Sequence, residues 1–233
     1  MRNRGKESND DRLFDSKWLP ALKNAADDLG YLLTRGYGSK SALELAGNRY
    51  GLNKRQREAV LRISASEQEI VERQNKMCNT DDLYQQTLAI DAFNLLIILE
   101  SALSGAYIYK CRDGAYRDIQ SVHGSYKRVM QTGEAIKLAG ESMNELQISK
   151  AIWYFDAPVS NSGRLKTFLM DIAGEENYNW DAQLLNAPDK ALAKSELQVA
   201  TSDGWIMDQC THWVNLAGYV IERKMKKVNL VNV

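Results

Sequence analysis

Three aspartates stand where short β-type runs end. Asp91 follows Thr-Leu-Ala-Ile, Asp156 follows Ala-Ile-Trp-Tyr-Phe, and Asp203 follows Val-Ala-Thr-Ser. Each precedes a stretch of helical composition. In an open parallel sheet, groups beyond the carboxyl ends of the strands face one crevice. Carboxylates collected there repel one another unless a cation sits among them. The chemistry these residue types predict is a Mg²⁺ or Mn²⁺ site acting on a phosphate ester, with Asp91, Asp156 and Asp203 as catalytic metal ligands.

Other residues fit around that site. Asn94, three positions after Asp91, can orient a water or a phosphate oxygen, or cap the helix that follows. Ser202 sits beside Asp203 and can bond the carboxylate or the ligand, as can Thr201. Ser160 and Ser162 lie in Asp-Ala-Pro-Val-Ser-Asn-Ser-Gly, ahead of a helix whose free N–H groups attract phosphate; either serine also serves as an ordinary cap. Two further metal ligands are candidates. Glu100 is a charge inside the apolar run Asn-Leu-Leu-Ile-Ile-Leu-Glu, and Asp208 lies five residues past Asp203 or is a surface residue of the next helix. Asp113-Gly114 predicts a tight hairpin turn. Around it Arg117, His123, Tyr126 and Lys127 make either a surface for backbone contacts and base stacking or a solvated loop.

The elements that must position these groups read as two parts. Leu19, Leu22, Ala26, Leu29 and Leu33 recur at helical spacing, Gly36-Tyr37-Gly38 breaks the helix, and Ser39 or Ser41 caps a second. Asn53 caps a third helix carrying Lys54, Arg55, Arg57 and Arg62. The pair is either a helix-turn-helix, with Lys54, Arg55 and Arg57 on nucleic acid, or a plain α-hairpin. Residues 1–11 are expected to fray, and Ser66–Asp82 reads as a helical tail and linker. A small all-α domain over 1–79 therefore precedes an α/β domain over 80–233. There, strands predicted at Leu88–Asp91, Ala106–Lys110, Ala151–Asp156, Ala182–Leu185, Gln198–Thr201 and Trp213–Asn215 alternate with helices. That alternation predicts a mostly parallel, Rossmann-like sheet covered on both faces.

Composition narrows the class. The chain has 233 residues, 44% hydrophobic and 26% charged, enough for a real core. Basic and acidic residues are equal at 30 each. Residues 1–79 hold 15 basic against 11 acidic side chains, so a nucleic-acid footprint is expected in the front. Three scattered cysteines predict no disulfide framework and a reducing compartment. No apolar run reaches membrane-spanning length, so a cytoplasmic location and no membrane partner are expected. Cys210 and His212 have no second pair at zinc spacing, and no Walker A sequence, Gly-x-Gly-x-x-Gly or nucleophile elbow appears.

The segments LLTRGYGSKSALELAGNRYGL, IDAFNLLIILESALSG, RDGAYRDIQSVHGSY, FDAPVSNSG and VATSD resemble a prokaryotic family known as domain of unknown function 434 followed by a domain numbered 5616. IDAFN with the late VATSD is also similar to the PIN and NYN nuclease superfamily. That resemblance implies a Rossmann-like sheet, magnesium or manganese, and cleavage of RNA or, in some branches, DNA. It implies Asp91 as first metal ligand, Asp203 as a late one, and Asp156 as the middle-strand acid. The expected function is a metal-dependent nuclease, RNA ahead of DNA as partner, with a homodimer compatible. The alternatives are a nucleic-acid-binding regulator with a degenerate site and a small-molecule phosphohydrolase.

Overall fold

The apolar spacing of the front resolves, among the described residues, into five α-helices: α1 (Asp10–Leu13), α2 (Leu19–Thr34), α3 (Ser39–Arg49), α4 (Lys54–Ile63) and α5 (Glu67–Lys76). The computed structural model describes residues 5–120 and 126–232. Asn53 caps α4 as expected, and Gln56 reaches back to complete a reciprocal capping box. Ser66 and Glu69 do the same for α5. Residues 66–82 are therefore no linker. Helix α5 buries Arg73 and packs against α2 and the α/β part. Residues 5–11 are pinned rather than frayed, because Arg55 holds Asp10, Glu7 and the carbonyl of Gly5.

The rest of the chain alternates strands and helices: β1 (Thr87–Asp91), α6 (Ala92–Leu103), β2 (Tyr107–Lys110), β3 (Tyr116–Arg117), α7 (Thr132–Glu145), β4 (Lys150–Asp156), α8 (Ser162–Glu175), β5 (Trp180–Leu185), α9 (Pro188–Ala193), β6 (Gln198–Ala200), α10 (Gly204–Gln209), β7 (Trp213–Val214), α11 (Leu216–Lys224) and β8 (Asn229–Asn232). Five strands form one sheet in the order β5-β4-β1-β6-β7, every pair parallel. This is a mixed α/β, Rossmann-like architecture behind a helical region. The chain winds outward from β1 through β4 to β5, then crosses over to β6 and β7 on the other side. The direction of winding reverses between β1 and β6, and a crevice opens at such a switch point.

The expected strand at Ala106–Lys110 does not join that sheet. It pairs antiparallel with β3 across the Asp113-Gly114 turn and parallel with β8, in a separate three-stranded sheet. Gly114 takes a left-handed φ of 91° in that turn. Tyr109 and Val231 of the small sheet pack with Leu22, Leu29, Val60 and Ile63, so the helical front and the C-terminal strand share one core. The larger core fills the main sheet's other contacts, with Leu88, Ile90, Trp153 and Phe155 meeting Leu96, Leu99, Leu169 and Val220. All three cysteines are free thiols. Among the described residues, no helix is long and apolar enough to cross a membrane.

Candidate acidic site at the carboxyl ends of the strands

Strand register sets the acids. Asp91 lies opposite Tyr154, so Asp156 extends two residues further along the neighbouring strand. Ile90 lies opposite Ala200, which puts Asp203 just past the end of β6 on the other flank. All three expected acids therefore occupy the same rim of the sheet, and Asp91 and Asp203 flank the switch point.

Local hydrogen bonds fix the pair. Thr201 donates its hydroxyl to Asp91 Oδ2 at 2.8 Å and accepts the N–H of Asp203 at 3.1 Å. Asp91 also caps α6 through the N–H of Asn94 at 3.4 Å, and Asp203 caps α10 through that of Ile206 at 3.1 Å. Asn94 Oδ1 accepts the N–H of Ser202 at 2.8 Å, tying the first turn of α6 to the β6–α10 turn. Each carboxylate thus sits at a helix N-terminus with its backbone geometry set.

A fourth carboxylate, Asp189, joins them, one absent from the expected set. Asp189 follows Pro188 in the first turn of α9, a helix that packs across β1 and β4. Burial, then Asp203 and Asp189, push the Asp91 carboxyl up to about 7. Burial, then Asp203 and Asp156, raise Asp189. Burial raises Asp156, whose carboxylate has no hydrogen-bond or ion-pair partner among the described residues. Asp189 therefore links Asp156 electrostatically to the Asp91–Asp203 pair. The available signal was a fourth acid placed just past a fourth strand end.

The donor chemistry suits a hard cation: carboxylate, amide and hydroxyl oxygens with no cysteine or histidine among them. The spacing is wider than the sequence implied. Among the described residues, no group of three or more His, Cys, Asp or Glu is placed to hold a metal ion. Magnesium is commonly held by one or two carboxylates with water and substrate phosphate completing its shell, so the rim fits that mode rather than an all-protein cage.

The remaining candidates fall in several places. Glu100 does not reach the rim. It lies nine residues down α6 from Asp91, roughly 13 Å away at 1.5 Å per residue. There it is buried and accepts the hydroxyls of Tyr126 and Thr132. Asp208 turns from the rim and binds Arg73 through both oxygens at 2.6 and 2.9 Å. Ser162 is buried, and its hydroxyl donates to the carbonyls of Asp156 and Val159, which shapes the turn and leaves that proton unavailable to a phosphate. Ser160 is exposed there, its carbonyl accepting Tyr126 N–H. Lys127 lines a pocket of about 420 Å³ with Arg128, Arg164 and Asn161 at the start of α8. His123 lies outside the described residues.

Arg117 is buried. Its guanidinium grips Asp113 at 3.0 and 2.7 Å, and its Nε donates to the carbonyl of Ser202 at 2.6 Å. It props the acid-bearing turn from behind. On α4, Arg55 holds the N-terminal segment, and Arg57 donates to Leu52 O and Asn48 Oδ1. Arg55 is thereby committed to Asp10 and Glu7, whereas Arg57 bonds only neutral groups. Lys54 is exposed, 3.9 Å from Glu58.

These carboxyls set a pH dependence. Burial also holds Asp118 up, at about 6. With unfolded carboxyls near 4, the folded chain binds more protons than the unfolded chain between about pH 4 and 7. Stability of the metal-free protein is then expected to fall as pH rises through that window. Mn²⁺ should restore more at pH 8 than at pH 5.5, because it competes with protons. Thermal melts at both pH values, with and without Mn²⁺, check this. A metal-free protein more stable at pH 8 would contradict it.

Residues 80–219 match the family described as Domain of unknown function (DUF5616), and residues 21–76 match Protein of unknown function (DUF434). The chain is 34% identical over 209 residues to Uncharacterized protein MJ0935 of Methanocaldococcus jannaschii, an alignment covering 89% of this chain and 100% of that protein. No solved structure matches. With more than half its length matched and a full-length relative at this identity, the chain belongs to the DUF5616 family, carrying a DUF434 segment ahead of that domain.

Proposed function

We propose that the protein is a Mg²⁺- or Mn²⁺-dependent nuclease of PIN/NYN type, hydrolysing phosphodiesters in RNA ahead of DNA. The observation that carries this reading is the pairing of Asp91 and Asp203 across the switch point, with Asp189 and Asp156 on the same rim. Asp91 and Asp203 would hold the cation, with Asp189 as a third acid facing it. When bound, the cation polarises the phosphate and acidifies a water.

The chain's own groups do the rest. Thr201 orients Asp91 and fixes the turn that carries Asp203. Asn94 fixes the same turn through Ser202. Lys127, Arg128 and Arg164 gather positive charge by the N-terminus of α8, next to Asp156, where a substrate phosphate would be attracted. The test is incubation of purified protein with labelled single-stranded RNA, single-stranded DNA and a mononucleotide, with Mg²⁺, Mn²⁺ or EDTA. Cation-dependent cleavage of the polymer supports the reading. Turnover of the mononucleotide alone would replace it with a phosphohydrolase, and binding without cleavage with a regulator.

A further inference from the structure

The helical front contributes one wall of a cleft that leads to the acids. An outer cavity of about 580 Å³ lies between Glu58, Leu61 and Arg62 of α4 and Gly204 at the start of α10. An inner one of about 80 Å³ ends on Asn94, Ser202 and Asp203. Arg62, Arg117 and Gln120 line both, so the two cavities adjoin. A ligand entering by the outer one passes α4 before it meets Asp203.

Three guanidinium groups line the outer cavity, and two are committed. Arg73 is buried against Asp113 and Asp208, and Arg117 against Asp113. Arg62 is exposed and makes no ion pair among the described residues. The charge it chiefly influences is Asp118, a buried carboxyl of the inner cavity already bonded by Ser101 and the N–H of Gln120. An acidic floor repels a polyanion. A cation at the mouth offsets that repulsion for an approaching phosphate. Leu61 is 43% exposed on the same wall and offers apolar surface to a sugar or base. A cleft of about 580 Å³ has room for an unpaired nucleotide or two.

We infer that this cleft between α4 and the β6–α10 turn receives a single-stranded polynucleotide, with Arg62 as its phosphate contact. The two family segments then build one site jointly, in place of a separate DNA-reading domain and a nuclease domain. The inference rests on the nuclease reading for its ligand class.

The test measures binding of a labelled 12-nucleotide oligouridylate to the full chain, with Ca²⁺ replacing Mg²⁺ so that nothing is cut. Arg62→Ala is expected to weaken binding about tenfold, the value of one charge-assisted phosphate contact. The slope of log affinity against log salt should shrink by about 0.7, the single-strand increment for one phosphate. Arg62→Lys should recover part of the loss. Lys40→Ala, on the exposed surface of α3 away from the cleft, should bind as wild type. Melting temperatures report folding of each variant. Wild-type affinity and slope in Arg62→Ala, in a protein whose wild type cleaves RNA, would overturn the inference and leave the nuclease reading standing. Absence of both binding and cleavage in the wild type would overturn both.

Discussion

Asp91→Asn and Asp203→Asn are each expected to reduce cation-dependent RNA cleavage by more than about 100-fold. Removing an outer partner of a metal ligand already costs about 10–100-fold, so loss of a ligand itself should exceed that. The substitutions preserve shape, and the amide oxygen of either asparagine still accepts the capping N–H of Asn94 or Ile206. Folding should survive. Asp91→Asn should even gain stability at pH 8 without metal, because burial and the facing carboxylates disfavour its charge and hold it at about 7. Activity lost together with unchanged or higher melting temperature is the expected result. Full activity in either variant would remove that residue from the site, and an unfolded variant would show that its capping role dominates.

Asp113→Ala is expected to lower unfolding free energy by about 3–5 kcal/mol, the usual cost of stripping one partner from a buried ion pair. Asp113 is fully buried and accepts from Arg73 at 2.9 Å, from Arg117 at 3.0 and 2.7 Å, and from the N–H of Ala115 at 3.1 Å. Burial alone would push its carboxyl up, but Arg117 and Arg73 outweigh that and hold it below the ordinary range. The alanine leaves two guanidinium groups facing a cavity. Arg73 still has Asp208 and Glu69, whereas Arg117 has the carbonyl of Ser202. The damage should therefore reach the turn that carries Asp203, and activity should fall with stability. Urea denaturation measures the first effect. A loss under about 1 kcal/mol would show that the hub is less coupled than its geometry implies.

The parts legible in the sequence were those set by neighbours in the chain. Asn53 announces the start of α4, Asp113-Gly114 announces the hairpin, and the apolar runs ending on Asp91, Asp156 and Asp203 announce the strands of the parallel sheet. What the sequence hid depends on distant partners. Glu100 looked functional because a charge interrupts an apolar helix, yet it satisfies two buried hydroxyls. Asp208 and Arg55 looked available because Arg73 and Asp10 are far from them in the chain, and Arg117 because the hairpin that buries it against Asp113, four residues away, is set by its distant packing. Asp189 signals itself only as an acid shortly after the end of β5, and it reaches the rim because α9 packs over β1 and β4. The small sheet was misplaced for the same reason: β8, Asn-Leu-Val-Asn, is too short and polar to read as a strand until β2 pairs with it.

Anomalous diffraction from a crystal soaked in Mn²⁺ reads out whether Asp91 and Asp203 jointly hold a hard cation. A peak is expected within about 2.0–2.6 Å of carboxylate oxygens of both residues, the range for hard cations on oxygen. A saturated soak with no peak at that rim, or with manganese bound elsewhere on the chain, would contradict that shared binding.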